Sequence, residues 1–94
     1  MSGQADTEWG AEIRVMLKPS VNDPQGLSIR NALRTLGFDG VEDVRAGKLI
    51  QLRVSAPSRE AAEQTVDAMC AQLLANPVIE TYTVSLDEVP APVP

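Results

Sequence analysis

Histidine is absent from this chain of 94 residues, and cysteine occurs once, at Cys70. Those shortages exclude His- and Cys-based metal sites, Ser-His-Asp catalysis and an internal disulfide. Aromatic residues are equally scarce, with one Phe, one Tyr and one Trp. A sheet that stacks single-stranded RNA needs more of them. Cations are outnumbered: 8 Lys and Arg face 13 Asp and Glu, for a net charge of −5. An acidic chain offers no clustered positive surface to nucleic acid or to an anionic membrane. No apolar run approaches the length of a membrane span, and the N-terminus lacks the charged-then-apolar order of a signal peptide. The expected compartment is the cytoplasm. Neither GxGxxG nor GxxxxGK[ST] occurs, so no glycine-rich phosphate cradle is legible.

What is present is enough for one folded domain, since 44% of the residues are hydrophobic. The stretch that organises it is Leu17-Lys18-Pro19-Ser20-Val21-Asn22-Asp23-Pro24-Gln25-Gly26. It leads a strand out of the core and starts a helix. Asp23 suits the N-cap, its carboxylate accepting from the free amides two and three residues on. Pro24 fits the first helical position, where a missing N–H is harmless and φ is already helical.

Residues 1–10 are polar and aperiodic, and read as a flexible extension with Trp9 able to pack at its end. Residues 11–18 alternate, with Ile13, Val15 and Leu17 on one face, as a half-buried strand does. The helix after Asp23 carries an apolar stripe of Ile29, Ala32, Leu33 and Leu36, and Gly37 suits a left-handed cap. Residues 41–45 read as a short strand, joined through a tight Ala46-Gly47-Lys48 turn to a strand over 49–55. Gly47 is expected at positive φ there. A second helix follows Pro57 with Ser58 as N-cap and a stripe of Ala62, Val66, Met69, Cys70, Leu73 and Leu74. Asn76 is expected to close it in the left-handed region, and Pro77 prevents its continuation. The last strand spans 78–86, and residues 89–94 form a Pro-rich, extended tail.

The predicted order is β-α-β-β-α-β, an α+β two-layer sandwich. Two helices share one face of a four-stranded antiparallel sheet built from residues 11–88. Its two open edges invite self-association, at least as a dimer. The chemistry of the residues gives no catalytic pair. Arg45, Gly47 and Lys48 form the most suggestive cationic group, an exposed turn able to meet a carboxylate or phosphate; against that, exposed Arg and Lys beside a hairpin are ordinary.

Several segments together carry a resemblance. They are Leu17-Lys18-Pro19, Asp23-Pro24-Gln25-Gly26, Leu36-Gly37-Phe38, Val44-Arg45-Ala46-Gly47-Lys48 and Leu73-Leu74-Ala75-Asn76-Pro77-Val78-Ile79-Glu80. In combination they resemble the PurS family, the small subunit of phosphoribosylformylglycinamidine synthase. The resemblance implies a subunit of a glutamine- and ATP-dependent amidoligase that acts at the fourth step of de novo purine synthesis. It implies no catalytic centre, metal or cofactor in this chain, with ATP, Mg and glutamine used by the partners. Those partners are a large synthetase subunit and a glutaminase subunit, which a PurS dimer bridges while supporting ammonia transfer. Candidate assembly residues are Lys18, Pro19, Asp23, Pro24, Gly26, Arg45, Gly47, Lys48, Asn76 and Pro77. A small-molecule-sensing regulatory domain of the same topology is the competing expectation, and an RNA-binding domain is disfavoured by charge and aromatic content.

Overall fold

The structure is a computed structural model that describes residues 6–89. Its centre is strand β1 (Thr7–Leu17), flanked on both sides by antiparallel neighbours, β2 (Gly47–Ala56) and β3 (Glu80–Glu88), in the order β2-β1-β3. The period of two explains why β1 takes the middle. Trp9, Ala11, Ile13 and Val15 all point to one face and are all buried. Register places Ile13 directly opposite both Ile50 and Val84, and Ala11 opposite Leu52 and Leu86. The expected inner face is therefore the observed one.

β1 begins at Thr7, four residues before the expected start. Trp9 is the reason. Its ring is buried, its indole N–H donates to the Ala56 carbonyl at 3.3 Å, and the Arg59 guanidinium lies 5.2 Å from the ring centroid. Residues 7–10 thus belong to the folded body, not to an extension. Gly10 had blurred the alternation there. At the other end the Val89 amide donates to the Glu8 carbonyl at 2.8 Å. Residues 1–5 and 90–94, where the rest of the extension and most of the proline-rich tail were expected, lie outside the described residues.

Helix α2 (Arg59–Met69) covers the inner face. Ser58 caps it, its hydroxyl accepting the Ala61 amide at 3.2 Å. Ala62, Val66 and Cys70, spaced by four, are completely buried against the sheet. The helix then widens into a π turn, Cys70–Leu74, closed by the Ala75 amide on the Cys70 carbonyl at 3.0 Å. That extra residue rotates the stripe. Ala75 is buried and Leu74 packs on the core, while Leu73, expected inside, is 83% exposed. Asn76 does not take the left-handed conformation, since no non-glycine residue described has positive φ. The chain leaves the helix through an extended Ala75 instead. The Asn76 side chain then orders the next turn by accepting the Val78 amide at 3.0 Å.

Two larger expectations fail. The sheet has three strands among the described residues, not four, and residues 41–46 form no strand or hairpin. Their polar groups are spent elsewhere: the Val41 carbonyl accepts from Arg34 Nε at 2.9 Å, and the Ala46 amide donates to Asp23 at 2.8 Å. A segment held by side chains has fewer groups left for a ladder. Among the described residues the element order is accordingly β-α-β-α-β.

The second failure concerns helix α1 (Pro24–Thr35), which has no substantial packing against the sheet or α2. Its caps are those anticipated. Gly37 has φ +103°, its amide bonds to the Arg34 carbonyl and the Phe38 amide to that of Leu33, both at 3.0 Å, which is a Schellman end. The expected shared core is not formed, however. Ile29 is 39% exposed and Leu36 73%, with Leu27 and Phe38 also exposed.

Candidate functional site

Three segments far apart in sequence converge at the end of the sheet where β1 leaves it. Asp23 is the centre. One carboxylate oxygen accepts the Gly26 amide at 2.9 Å, capping α1, and the other accepts the Ala46 amide at 2.8 Å. Asp23 is 7% exposed, and is the buried charged residue of the described chain. The Gly26 and Ala46 amides, with the Arg45 guanidinium 4.0 Å away, hold its carboxyl below the ordinary value of 3.8 although burial works the other way.

Arg45 turns inward. Its Nη2 donates to the carbonyls of Lys18 at 2.9 Å, Val21 at 3.2 Å and, at the limit, Leu17 at 3.5 Å. These are the carbonyls of the chain leaving β1. The exposed-turn picture therefore fits Lys48 but not Arg45. Lys48 Nζ stands 4.0 Å from Glu80 Oε2 with its own side chain 58% exposed. Glu80 in turn accepts the Asn76 amide at 2.7 Å, and the Lys18 amide donates to the Ile79 carbonyl at 2.8 Å. Lys18, Asp23, Arg45, Lys48, Asn76 and their neighbours thus form one polar cluster. Pro19 and Pro77 lie exposed in the turns that bound it, and Pro24 is the first residue of α1.

The glycines work by close approach. A Cβ on Gly26 would collide with the Val44 carbonyl oxygen and stand 2.8 Å from Asp23 Oδ2. A Cβ on Gly47 would meet Met16 Sδ and lie 2.5 Å from the Val15 carbonyl. Gly47 does not have positive φ, so that expectation is corrected: it opens β2 opposite Met16, where two backbones come too near for a side chain. Glu80 was not singled out from sequence. Its signal was there, an acid on the same parity as Tyr82, Val84 and Leu86.

The cleft at this junction is small, ≈ 240 Å³, and is walled by Val15, Leu17, Asp23, Gln25 and the Lys48–Glu80 pair. Such a volume falls short of usual small-molecule sites. An open hollow of ≈ 740 Å³ lies on the outer sheet face by Gly10, with polar side chains such as Gln51 and Glu12 bonded to each other at 3.1 Å. Among the described residues no group of His, Cys, Asp and Glu could hold a metal, and no helix is long and apolar enough to cross a membrane.

What the surface offers is contact area. Leu27, Ile29, Leu36 and Phe38 are exposed on the arm, residues 18–46 between β1 and β2, and Met16, Leu49 and Ile79 on the outer sheet face or its rim. Residues 10–88 match the model of the family described as PurS: Phosphoribosylformylglycinamidine (FGAM) synthase. The chain belongs to the PurS family. It is a subunit of FGAM synthase, a ligase complex of purine biosynthesis. The PurS subunit of this synthase from Synechocystis sp. is 50% identical over 74 residues, which are 79% of this chain and 74% of that protein. The structure of the purS subunit of the synthase from Thermotoga maritima aligns with a TM-score of 0.81 at 34% identity, covering 93% of this chain and 98% of that one. A chain in the structure of PurLQS from Thermotoga maritima aligns with a TM-score of 0.78 at 36% identity, covering 87% and 98%.

Proposed function

We propose that this PurS chain is a non-catalytic assembly subunit that self-associates through α1 and, as a dimer or higher homo-oligomer, bridges a large synthetase subunit and a glutaminase subunit. One observation carries the reading: an amphipathic helix with both ends capped leaves its apolar side chains exposed and makes no substantial contact with its own sheet. A stripe of that kind is stable in water only when something covers it. The same chain has the complementary lack. Ile50, Leu52, Val54, Tyr82 and Val84 are only half-buried beneath a single helix. Two copies can supply each other with what each lacks, as a two-fold contact requires.

Catalysis then belongs to the partners. They use glutamine, ATP and Mg, and this chain supports passage of ammonia between their centres in the cytoplasm. The resemblance to a chain of PurLQS supports that placement. The test is co-purification with the large subunit and the glutaminase in the presence of glutamine and Mg-ADP. The chain should be retained in the complex and raise glutamine-dependent synthesis, while alone it turns over neither glutamine nor ATP. Saturable turnover by the purified chain, or full synthesis without it, would sink the reading.

A further inference from the structure

We propose that Asp23 and Arg45 are positioning residues that aim α1 at its assembly partner, a rigid polar node in place of a hydrophobic core. This rests on the self-association reading above and specifies what fixes its geometry. Of residues 18–46, only Asp23 and Gly26 are buried. The arm therefore has no apolar interior, and α1 has no substantial contact with the sheet or α2 to set its direction. Its direction is set at the root.

The root is laced across. Arg45, on the segment returning to β2, donates to the Lys18 and Val21 carbonyls of the segment leaving β1. Asp23, on the leaving segment, accepts the Ala46 amide of the returning one. In both contacts the returning segment donates, but each segment contributes one of the side chains, Arg45 from one and Asp23 from the other, so neither segment can rotate without breaking a bond. Gly26 presses the first turn of α1 under the Val44 carbonyl, which a methyl group would prevent. Hydrogen bonds to charged groups are directional and short, and hold an angle better than apolar contact does. Further out, Arg34 clasps the Val41 carbonyl at 2.9 Å, so helix and returning segment move together.

The test measures the arm directly. Spin labels on Asn31→Cys in α1 and Glu63→Cys in α2, both exposed positions, are placed in a Cys70→Ala background shared by all variants. Labelled chain is diluted in excess unlabelled chain, so each assembly carries one labelled copy. The parent should give a narrow distance distribution. Arg45→Met, which keeps bulk and loses every donor, should broaden it about twofold and weaken self-association by about tenfold in sedimentation. Hydrogen-exchange protection of the Ile13 and Val15 amides should stay as in the parent. Asp23→Asn, which retains a capping oxygen without the charge, should broaden the distribution less.

An unchanged distribution in Arg45→Met would overturn the node. So would equal loss of protection at Ile13 and Val15, because the node would then be part of one cooperative core. A monomeric parent whose narrow distribution still broadens in Arg45→Met would defeat the self-association reading and leave the node standing.

Discussion

Helices α1 and α2 are of nearly equal length, 12 and 11 residues, and each has a side-chain N-cap and an apolar stripe. One is seated and the other is not. Ala62 and Val66 of α2 and Cys70 at its C-cap are fully buried, whereas Leu27 and Ile29 of α1 and Leu36 at its C-cap face solvent. Amphipathicity therefore says that a helix has a partner, and not whether the partner lies in the same chain. What separates the two is how each is tied to the sheet. Two residues after β2, Ser58 caps α2, whose Arg59 then donates to the Leu86 carbonyl at 2.8 Å. α1 begins seven residues beyond the last residue of β1, past Pro19 and a turn, and is anchored at its root through Asp23 and Arg45.

The sharpest break in that comparison is a pair of truncations. Ile13→Ala removes a fully buried side chain from the middle of β1 and should cost about 2–5 kcal/mol. Leu36→Ala on α1, measured on the dissociated chain at high dilution, should stay within about 0.5 kcal/mol of the parent. Its effect should appear instead as weaker self-association. Urea unfolding followed at two protein concentrations separates the outcomes. A large cost for Leu36→Ala that does not depend on concentration would mean that α1 is seated within its own chain after all.

The sheet face was readable in advance because a period of two survives in any local window: Ile13, Val15, Ile50, Leu52, Val54, Val84 and Leu86 all fall where their parity puts them. Both N-caps and Gly37 were legible for the same reason, since capping is chemistry within four residues. The π turn was not, because one inserted residue after Cys70 leaves no local mark and yet shifts Leu73 into solvent. The strand expected over residues 41–45 is lost to a long-range competition. Asp23 takes the Ala46 amide, and only the folded chain brings them together. Of the candidate site, Asp23, Arg45, Gly47 and Lys48 were visible as residues, but their convergence with Glu80 was not.

A smaller effect distinguishes two reasons for a glycine at the boundary between arm and sheet. Were Gly47 required for positive φ, Asn would be tolerated better than Ala. The structure gives it a close approach instead, with Met16 and the Val15 carbonyl where a Cβ would go. Gly47→Ala and Gly47→Asn should therefore lower the melting temperature together, Asn at least as much as Ala. Gly37→Asn is the contrast: φ there is +103° and nothing lies within 4 Å of a Cβ, so Asn should be milder than Val. Recovery of parental stability by Gly47→Asn would restore the conformational explanation.

The smallest effect is a titration confined to the arm. Asp23 has its carboxyl pulled below 3.8 chiefly by the Gly26 amide, then by the Ala46 amide, with Arg45 assisting against desolvation. The folded chain thus binds fewer protons there than the unfolded chain as the pH falls past 3.8. The stabilisation is complete above that value and is lost as pH falls through the lower, folded pKa. The two donors report on the event directly. Amide proton shifts of Gly26 and Ala46 should titrate with a midpoint below 3.8, and Asp23→Asn should flatten both curves. The Ala11 and Ile13 amides, in the middle of the sheet and outside the cleft that Asp23 lines, should not follow them. If all four amides moved together, arm and sheet would be one cooperative unit, and the contrast between the two helices would reflect exposure alone. If only Gly26 moved, the Ala46 bond would carry no weight and the arm would be anchored by its cap and Arg45.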